Sequence, residues 1–451
     1  MSRPTVAVIG AGFSGVLTAL HLLADPDGPR VRLVERARAF GRGAAFGATN
    51  PDHLLNVRVA NMSAFPDEPD HFVRWLAGRD GWNAQGAFIS RGCYGDYLQD
   101  LLRRAVATGP ADRLLLEPDE ATDLSHAAGE WRIHLAVGRT FPAQATVLAL
   151  GAPPPPPPEG ADAEFLASPR YVADPWAGAP IDPAAGHVVL LGAGLTMIDV
   201  VLALGEPGRR FTALSRRGLM SRTHGEVPPH PPAPAVSGGP GQVLREVRRR
   251  IGDGDWRAAV DDLRPHVTDL WRGWSLAERQ RFLRHLRPWW DVHRHRVGPV
   301  VARRIEVMRR GGLLDVRAGR TVRLSLEGDH VAVAWRPRGA QTLRRLKADV
   351  VVNCAGALGD IAQASDPLLA RLVARGYLSP DACRLGADVD AASRPINAEG
   401  RISSGLFAVG PLTRGAFWEM TSVPDIRLQA AQVAQSVSRA LTPPPARRAA
   451  G

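Results

Sequence analysis

Short apolar runs that close on glycine recur along this chain. Val6 to Ile9 leads into Gly10-Ala11-Gly12-Phe13-Ser14-Gly15, and Val188 to Leu191 leads into Gly192-Ala193-Gly194. Ala145 to Gly151, Asp349 to Gly356 and Gly405 to Gly410 end the same way. Runs of this kind, bounded by turn residues, predict strands covered on both faces, as in a parallel sheet. An amphipathic helix from Gly15 to about Leu23 follows the first run, and a second strand, Val31 to Val34, ends at Glu35. Leu114 to Leu116, Trp131 to Val137 and Ala145 to Gly151 then predict three strands of the first half. Leu313 to Ala318, Val322 to Leu326, Val331 to Trp335 and Asp349 to Gly356 predict their counterparts in the second.

Each half thus carries a glycine-rich βαβ unit, a β-meander and an apolar strand ending in glycine. The period is too long for a solenoid. The expected fold class is α/β, with two Rossmann-like dinucleotide-binding domains, the second inserted into the first, and a helical insert. The proline run Pro153 to Pro158 is a stiff extended joint. The expected domains are 1–152, 160–344 with a helical insert at about 236–310, and 345–440, with a disordered tail at 441–451. The proline-rich loop Val227 to Pro234 opens the insert. There, Trp256 to Val260 and Leu276 to Leu286 place apolar residues three and four apart. Ser422 to Val437 is expected to form a helix aimed at a cofactor, with Pro424 in its first turn.

The glycines have separate physical tasks. Gly10 permits the tight turn, Gly12 lets backbone approach a pyrophosphate, and Gly15 lets helix pack against strand. Phe13 and Ser14 open a helix whose unpaired N–H groups and positive dipole end suit phosphate. Glu35, followed by Arg36, stands where a carboxylate accepts ribose hydroxyls, which disfavours a 2′-phosphate there. The second fingerprint keeps Gly192 and Gly194, followed by Leu195 and Thr196, but Met197 takes the third small position, so helix and strand should sit further apart. Its next strand, Phe211 to Leu214, ends in Ser215-Arg216-Arg217 instead of an acid. Arginines there bind a 2′-phosphate through charge-assisted forks, which favours NADPH over NADH. Two dinucleotide seats in one chain point to a redox enzyme.

Composition narrows the class. The 451 residues suit two connected domains, and 45% hydrophobic with 22% charged residues is ordinary for a soluble globular protein. The formal charge of +11 is spread along the chain and carried almost wholly by arginine, Lys347 being the only lysine. No block of five or six like charges occurs, so anionic small molecules fit better than nucleic acid. Cys93, Cys354 and Cys383 form no CxxC pair, which excludes a disulfide framework, argues against a flavin disulfide reductase and suits a reducing cytoplasm. Neither a signal peptide nor an eighteen-residue apolar span is apparent, so no membrane association is expected.

Further motifs carry a resemblance. Gly41-Arg42-Gly43-Ala44-Ala45-Phe46-Gly47, His53-Leu54-Leu55-Asn56-Val57, Asn61-Met62-Ser63 and His71-Phe72 with Trp75-Leu76 resemble one N-terminal signature. It is that of the FAD/NAD(P)-binding proteins that include the FAD-dependent urate hydroxylase and the nitrosuccinate-forming aspartate monooxygenase. Trp289 to Arg296, Trp418-Glu419 and Pro424 to Arg427 are similar to the same group. The resemblance implies a flavin monooxygenase in which NADPH reduces FAD and the reduced flavin uses dioxygen to hydroxylate a small polar or anionic metabolite. Urate to 5-hydroxyisourate is the substrate pair it implies first. N-oxygenation of an amino acid or amine, and electron transfer to a partner protein or quinone, are the alternatives. A non-enzymatic flavoprotein is disfavoured by the second fingerprint.

The glycine-ended strands bring backbone close to a dinucleotide at Gly151, Gly356 and Gly410, and Arg42, Gly43 and Asn56 are further cofactor candidates in the segment that carries the resemblance. His53, Arg58, Trp289 and His293 are the substrate candidates. Arg42 also suits a pyrophosphate. No acid–base residue is nominated, because the cofactor carries the difficult chemistry. No metal is expected, since histidines two apart on a helix diverge. The oligomeric state is left open.

Overall fold

The computed structural model describes the chain apart from residues 1–2, 38, 48–49, 81–85, 111, 178–180, 206–207, 228–230, 232, 253, 357–358 and 443–451. From residue 443 on, the tail expected to be disordered lies outside the described residues, as does part of the loop 227–234. The chain divides into two compact units. One comprises Met1–Gly47, Val57–Pro153 and Gly359–Gly451, the other Ala48–Asn56 and Pro154–Leu358.

The first unit begins with β1 (Thr5–Ile9), α1 (Phe13–Leu23) and β2 (Arg30–Val34), followed by α2 (Gly43–Phe46), α3 (His71–Asp80) and α4 (Arg91–Thr108). Five strands follow, β3 (Leu114–Glu117), β4 (Ala121–Ala127), β5 (Glu130–Leu135), β6 (Thr140–Ala143) and β7 (Ala145–Leu148). Nearly every side chain of β1, β7 and α1 is buried, because the helix covers one face of a parallel sheet and cannot afford a polar stripe. Pro26, which cannot continue a helix, lies just beyond the α1 C-cap Ala24.

Leu114–Glu117 pairs in parallel with β2, so it is an edge of the parallel sheet rather than part of the meander. The antiparallel meander is β4, β5 and β6. Its flanking strands escape a search for apolar runs because each buries only two residues, never adjacent ones: Ala121 and Leu124 in β4, Phe141 and Ala143 in β6. Trp131 of β5 is 1% exposed, and its indole N–H donates to the Ser404 carbonyl at 2.9 Å. Truncating it to alanine would cost about 3–5 kcal/mol through the cavity left behind.

The second unit opens with α5 (Ala163–Ala167), β8 (Tyr171–Val172), β9 (His187–Leu191), α6 (Leu195–Leu204) and β10 (Arg210–Ser215). A run of six helices follows: α7 (Pro240–Ile251), α8 (Trp256–Leu263), α9 (Val267–Gly273), α10 (Leu276–His285), α11 (Arg287–Arg294) and α12 (Pro299–Arg310). Ser275 and Glu278 form a reciprocal capping box at the start of α10. The unit ends with β11 (Leu314–Glu327), β12 (His330–Pro337), β13 (Arg344–Ala348) and β14 (Val350–Asn353).

These strands form one seven-stranded sheet in the order β13-β12-β11-β10-β9-β14-β8. The two strands expected over 313–326 are a single strand, β11, interrupted by a bulge between Thr321 and Arg323. β14 pairs with β9, so the chain returns to the first unit at Gly359, later than the boundary expected at 345. Residues 50–56, expected in the first domain, pack in the second unit. Arg304 pairs with Asp52 at 2.6 Å, and His224 bonds the Asn56 carbonyl at 3.0 Å.

The returning segment contributes α13 (Pro367–Ala374), β15 (Leu406–Ala408), α14 (Arg414–Phe417) and α15 (Val423–Leu441). β15 completes a five-stranded parallel sheet, β15-β7-β1-β2-β3. Among the described residues no helix is long and apolar enough to cross a membrane.

Candidate functional site

The first glycine loop is built to be crossed only by backbone. Gly10 has φ +99°, and a Cβ there would meet the Ala149 carbonyl oxygen at 2.5 Å. A Cβ at Gly15 would lie 1.8 Å from the Gly10 oxygen, so Gly15 is what lets α1 close onto its strand. Gly43 approaches the other side of the loop, where its Cβ would be 3.0 Å from the Gly12 Cα. Gly12 caps α1 without a side-chain hydrogen bond, and no acid occupies the first turn. An uncapped helix end above a floor free of side chains fits the pyrophosphate of a dinucleotide.

C-terminal residues complete this wall. Gly410 packs on Ser14, whose Oγ would be 2.3 Å from a Cβ at 410. The Gly410 amide donates to Gln429 Oε1 at 2.8 Å, while Gln429 Nε2 donates to Thr413 Oγ1 at 2.8 Å. Sequence reasoning missed Gln429; a glutamine on the core face of α15 was its one visible signal. Gly151 has open space where a Cβ would be, at the end of the strand leading to the prolines.

Glu35 lies at the end of β2 and is bonded to the loop itself. Its Oε2 accepts the Ala11 N–H at 2.8 Å and its Oε1 accepts the Ala37 N–H at 3.0 Å. Arg36 is exposed and faces Asp366 at 3.4 Å and Glu120 at 3.8 Å. Arg42, expected to be available to phosphate, is a strut between α2 and α4. Its guanidinium pairs with Asp96 and donates to the Gly92 carbonyl at 3.0 Å.

The second unit repeats the loop with one change. Gly192 has φ +127°, and a Cβ there would sit 2.4 Å from the Cys354 oxygen. Gly194 caps α6 without a side-chain bond, and a Cβ there would meet nothing within 4 Å. Leu195 and Thr196 are half-buried in the first turn, whereas Met197 is fully buried in the core between helix and sheet. Beyond β10, Arg216 is exposed and has no hydrogen-bond or ion-pair partner among the described residues. Arg217 donates to the Arg284 carbonyl at 3.2 Å. Gly356 has open space at its Cβ position, and burial pushes the nearby Cys354 thiol up to about 12.

Each substrate candidate has its own local surroundings. His53 is 6% exposed in the second unit; its Nε2 bonds the Asp199 carbonyl at 3.0 Å and its ring meets Trp176 edge-on. That places it as an anchor for segment 50–56 against α6. Asn56 is held through its backbone carbonyl. Arg58 belongs to the first unit and stands at the N-cap position of the short 3-10 turn Val59–Asn61, without a side-chain capping bond. Trp289 is 43% exposed on α11, and its carbonyl bonds His293 Nδ1 at 2.7 Å. Burial lowers the His293 pKa against the opposing effect of that bond, and Arg222, Arg296 and Arg257 lower it further. Among the described residues no cluster of His, Cys, Asp and Glu is arranged to hold a metal.

A cavity of about 620 Å³ lies between α3 and α4, and none of the fingerprint glycines lines it. Its charges are internally paired: Arg74 with Glu68, and Arg103 and Arg104 with Asp100 at 3.3 and 2.8 Å.

Paired glycine-loop units define a two-dinucleotide α/β architecture. Residues 7–153 match the FAD-NAD(P)-binding family. No curated protein matches the chain. Among solved structures, L-lysine 6-monooxygenase from Pseudomonas syringae is similar at 17% identity and TM-score 0.67, over 98% of this chain and 100% of that one. The ornithine N-hydroxylase KtzI of Kutzneria sp. 744, with reduced FAD, NADP+ and L-ornithine, is similar at 16% identity and TM-score 0.65, with coverage of 98% and 100%. Thioredoxin reductase of Lactococcus lactis follows at 12% identity and TM-score 0.55, with coverage of 97% and 99%. The chain shares the fold of these proteins along nearly its whole length.

Proposed function

We propose that this protein is an FAD-dependent, NADPH-consuming monooxygenase that oxygenates the nitrogen of a small amine or amino acid. The observation that carries the reading is the pair of uncapped helix ends, Gly12 on α1 and Gly194 on α6, each above a glycine loop. The first lies within residues 7–153, which match the FAD-NAD(P)-binding family, and is read as the FAD seat. Similarity to two amine hydroxylases over their full lengths directs the chemistry toward nitrogen rather than toward urate. Urate hydroxylation rests on the sequence resemblance alone. A disulfide reductase lacks support because Cys93, Cys354 and Cys383 form no CxxC pair and Cys354 is buried.

In this reading the Gly10–Gly15 loop holds the FAD pyrophosphate, and Glu35 takes the ribose while it also orders the loop. Gly192 and Gly194 admit the second pyrophosphate, and Arg216 receives the 2′-phosphate. FAD, when bound, supplies the hydride acceptor and the centre that activates oxygen. Overall, NADPH, a proton, dioxygen and the amine give NADP+, water and the hydroxylamine. The chain's own residues bind and orient; none is assigned a proton-transfer step.

The test is NADPH oxidation by the FAD-loaded protein against ornithine, lysine, aspartate, simple amines and urate, with products read by mass spectrometry. An N-hydroxy product from an amine is expected. A urate-only response would return the assignment to purine hydroxylation, and acceptor reduction without oxygenated product would make the protein a reductase.

A further inference from the structure

The antiparallel end of the second unit's sheet has one buried and one solvated face. Leu324, Val331, Val333, Trp335 and Ala348 pack with Phe165 in a common core. Directly paired residues share a face, so the ladder fixes what lies on the other side. Arg320 stands opposite Arg336, Arg323 opposite Ala334, Ala334 opposite Arg345, and Ala332 opposite Lys347. Arg320 and Arg323 are three apart and would point to opposite faces of a regular strand. The bulge at Val322 restores them to one face. That bulge is backed by Gly160, where a Cβ would lie 2.0 Å from the Val322 oxygen.

The face therefore carries five exposed cations. Arg323, Arg336 and Lys347 have no ion-pair partner among the described residues. Arg320 and Arg345 meet only the exposed Glu159 at 3.4 Å and Glu327 at 3.7 Å. Cations directly opposed across a ladder are destabilising. Protection of a sheet edge explains charges on β13, which is the edge, but not those on β11 and β12, which are interior.

We propose that this arginine face docks an acidic protein segment, its carboxylates bound by guanidinium forks. Guanidinium geometry matches carboxylates two bonds at a time. The positions between the cations are Ser325, Ala332 and Ala334, and the one tryptophan of these strands, Trp335, is turned into the core. Without an aromatic stacking platform the face does not suit single-stranded nucleic acid. Without a large apolar anchor it does not suit insertion into a bilayer.

The experiment uses the full-length FAD-loaded protein and a fluorescent peptide of alternating glutamate and alanine, read by anisotropy at low and physiological salt. Binding at low salt is expected, weakened by about tenfold or more in the triple variant R323S/R336S/K347S and weakened in the wild type by salt. A matched variant, R245S/R248S/R281S, removes the same charge from the helical insert and should bind as wild type does. NADPH oxidation should be equal in all three. Equal weakening in both variants, or no weakening in the first, overturns the proposal. So does tighter binding to phosphatidylglycerol vesicles or to single-stranded DNA than to the peptide.

Discussion

Glu35 Oε2 accepts the Ala11 amide at 2.8 Å, so the acid at the end of β2 is tied directly to the glycine loop. The bond orders the turn that is proposed to receive phosphate, and pre-ordering lowers the entropy cost of binding. Replacing Glu35 with alanine removes a charge-assisted bond worth about 1.5–3 kcal/mol. FAD affinity should fall by about tenfold or more, with a smaller loss for Glu35→Gln, which keeps an acceptor. Calorimetric titration of the apoprotein decides the point; unchanged affinity in Glu35→Ala would remove the acid from the account.

Gly15 and Gly194 have opposite reasons for lacking a side chain. A Cβ at Gly15 meets backbone at 1.8 Å, whereas one at Gly194 meets nothing within 4 Å. Gly15→Ala should therefore destabilise the protein itself, by about 3 kcal/mol or more. Gly194→Ala should fold normally, because a Cβ there meets no protein atom, and lose NADPH affinity if the proposed pyrophosphate seat is right. Thermal melts with NADPH titrations separate the two, and a melting temperature for Gly15→Ala matching wild type would contradict the packing role.

Arg216, at the end of β10, has no hydrogen-bond or ion-pair partner among the described residues, while Arg217 is partly engaged by the Arg284 carbonyl. Arg216→Ala should lower kcat/KM for NADPH by about 10- to 100-fold and leave that for NADH nearly unchanged, since only the 2′-phosphate is lost. An equal fall with both coenzymes would mean that the residue acts on the loop instead of on the phosphate.

His187 supplies a stability test. Its Nδ1 bonds the Lys347 carbonyl at 2.6 Å and its Nε2 faces Thr212 Oγ1 at 3.0 Å. Burial lowers its pKa below 6.5, the Lys347 bond opposes this, and Arg210 lowers it further. Because the folded value is depressed, the unfolded chain takes up the proton first. The stability present above 6.5 is lost as pH falls below it. The melting temperature should drop between pH of about 7.5 and about 5.5, and less steeply in His187→Gln. An unchanged slope in that variant would assign the drop to other groups.

The parallel strands and both glycine loops were legible because burial on two faces writes itself as apolar runs, and a turn that only glycine can make writes itself as glycine. The meander strands Ala121–Ala127 and Thr140–Ala143 were not, since each buries only two separated residues. The placement of His53 was illegible for another reason. It packs on α6, more than a hundred residues away in sequence, and no local pattern encodes that contact. Arg42 looked like a phosphate ligand because its partner, Asp96, lies on a separate helix.

Oxygen-isotope tracing tests the central claim most directly. The FAD-loaded protein, supplied with NADPH and 18O2, is offered an amine that stimulates coenzyme oxidation. A hydroxylamine carrying one 18O atom is the predicted product. A protein that takes up no FAD, or one that consumes NADPH and releases only peroxide with every amine, contradicts it.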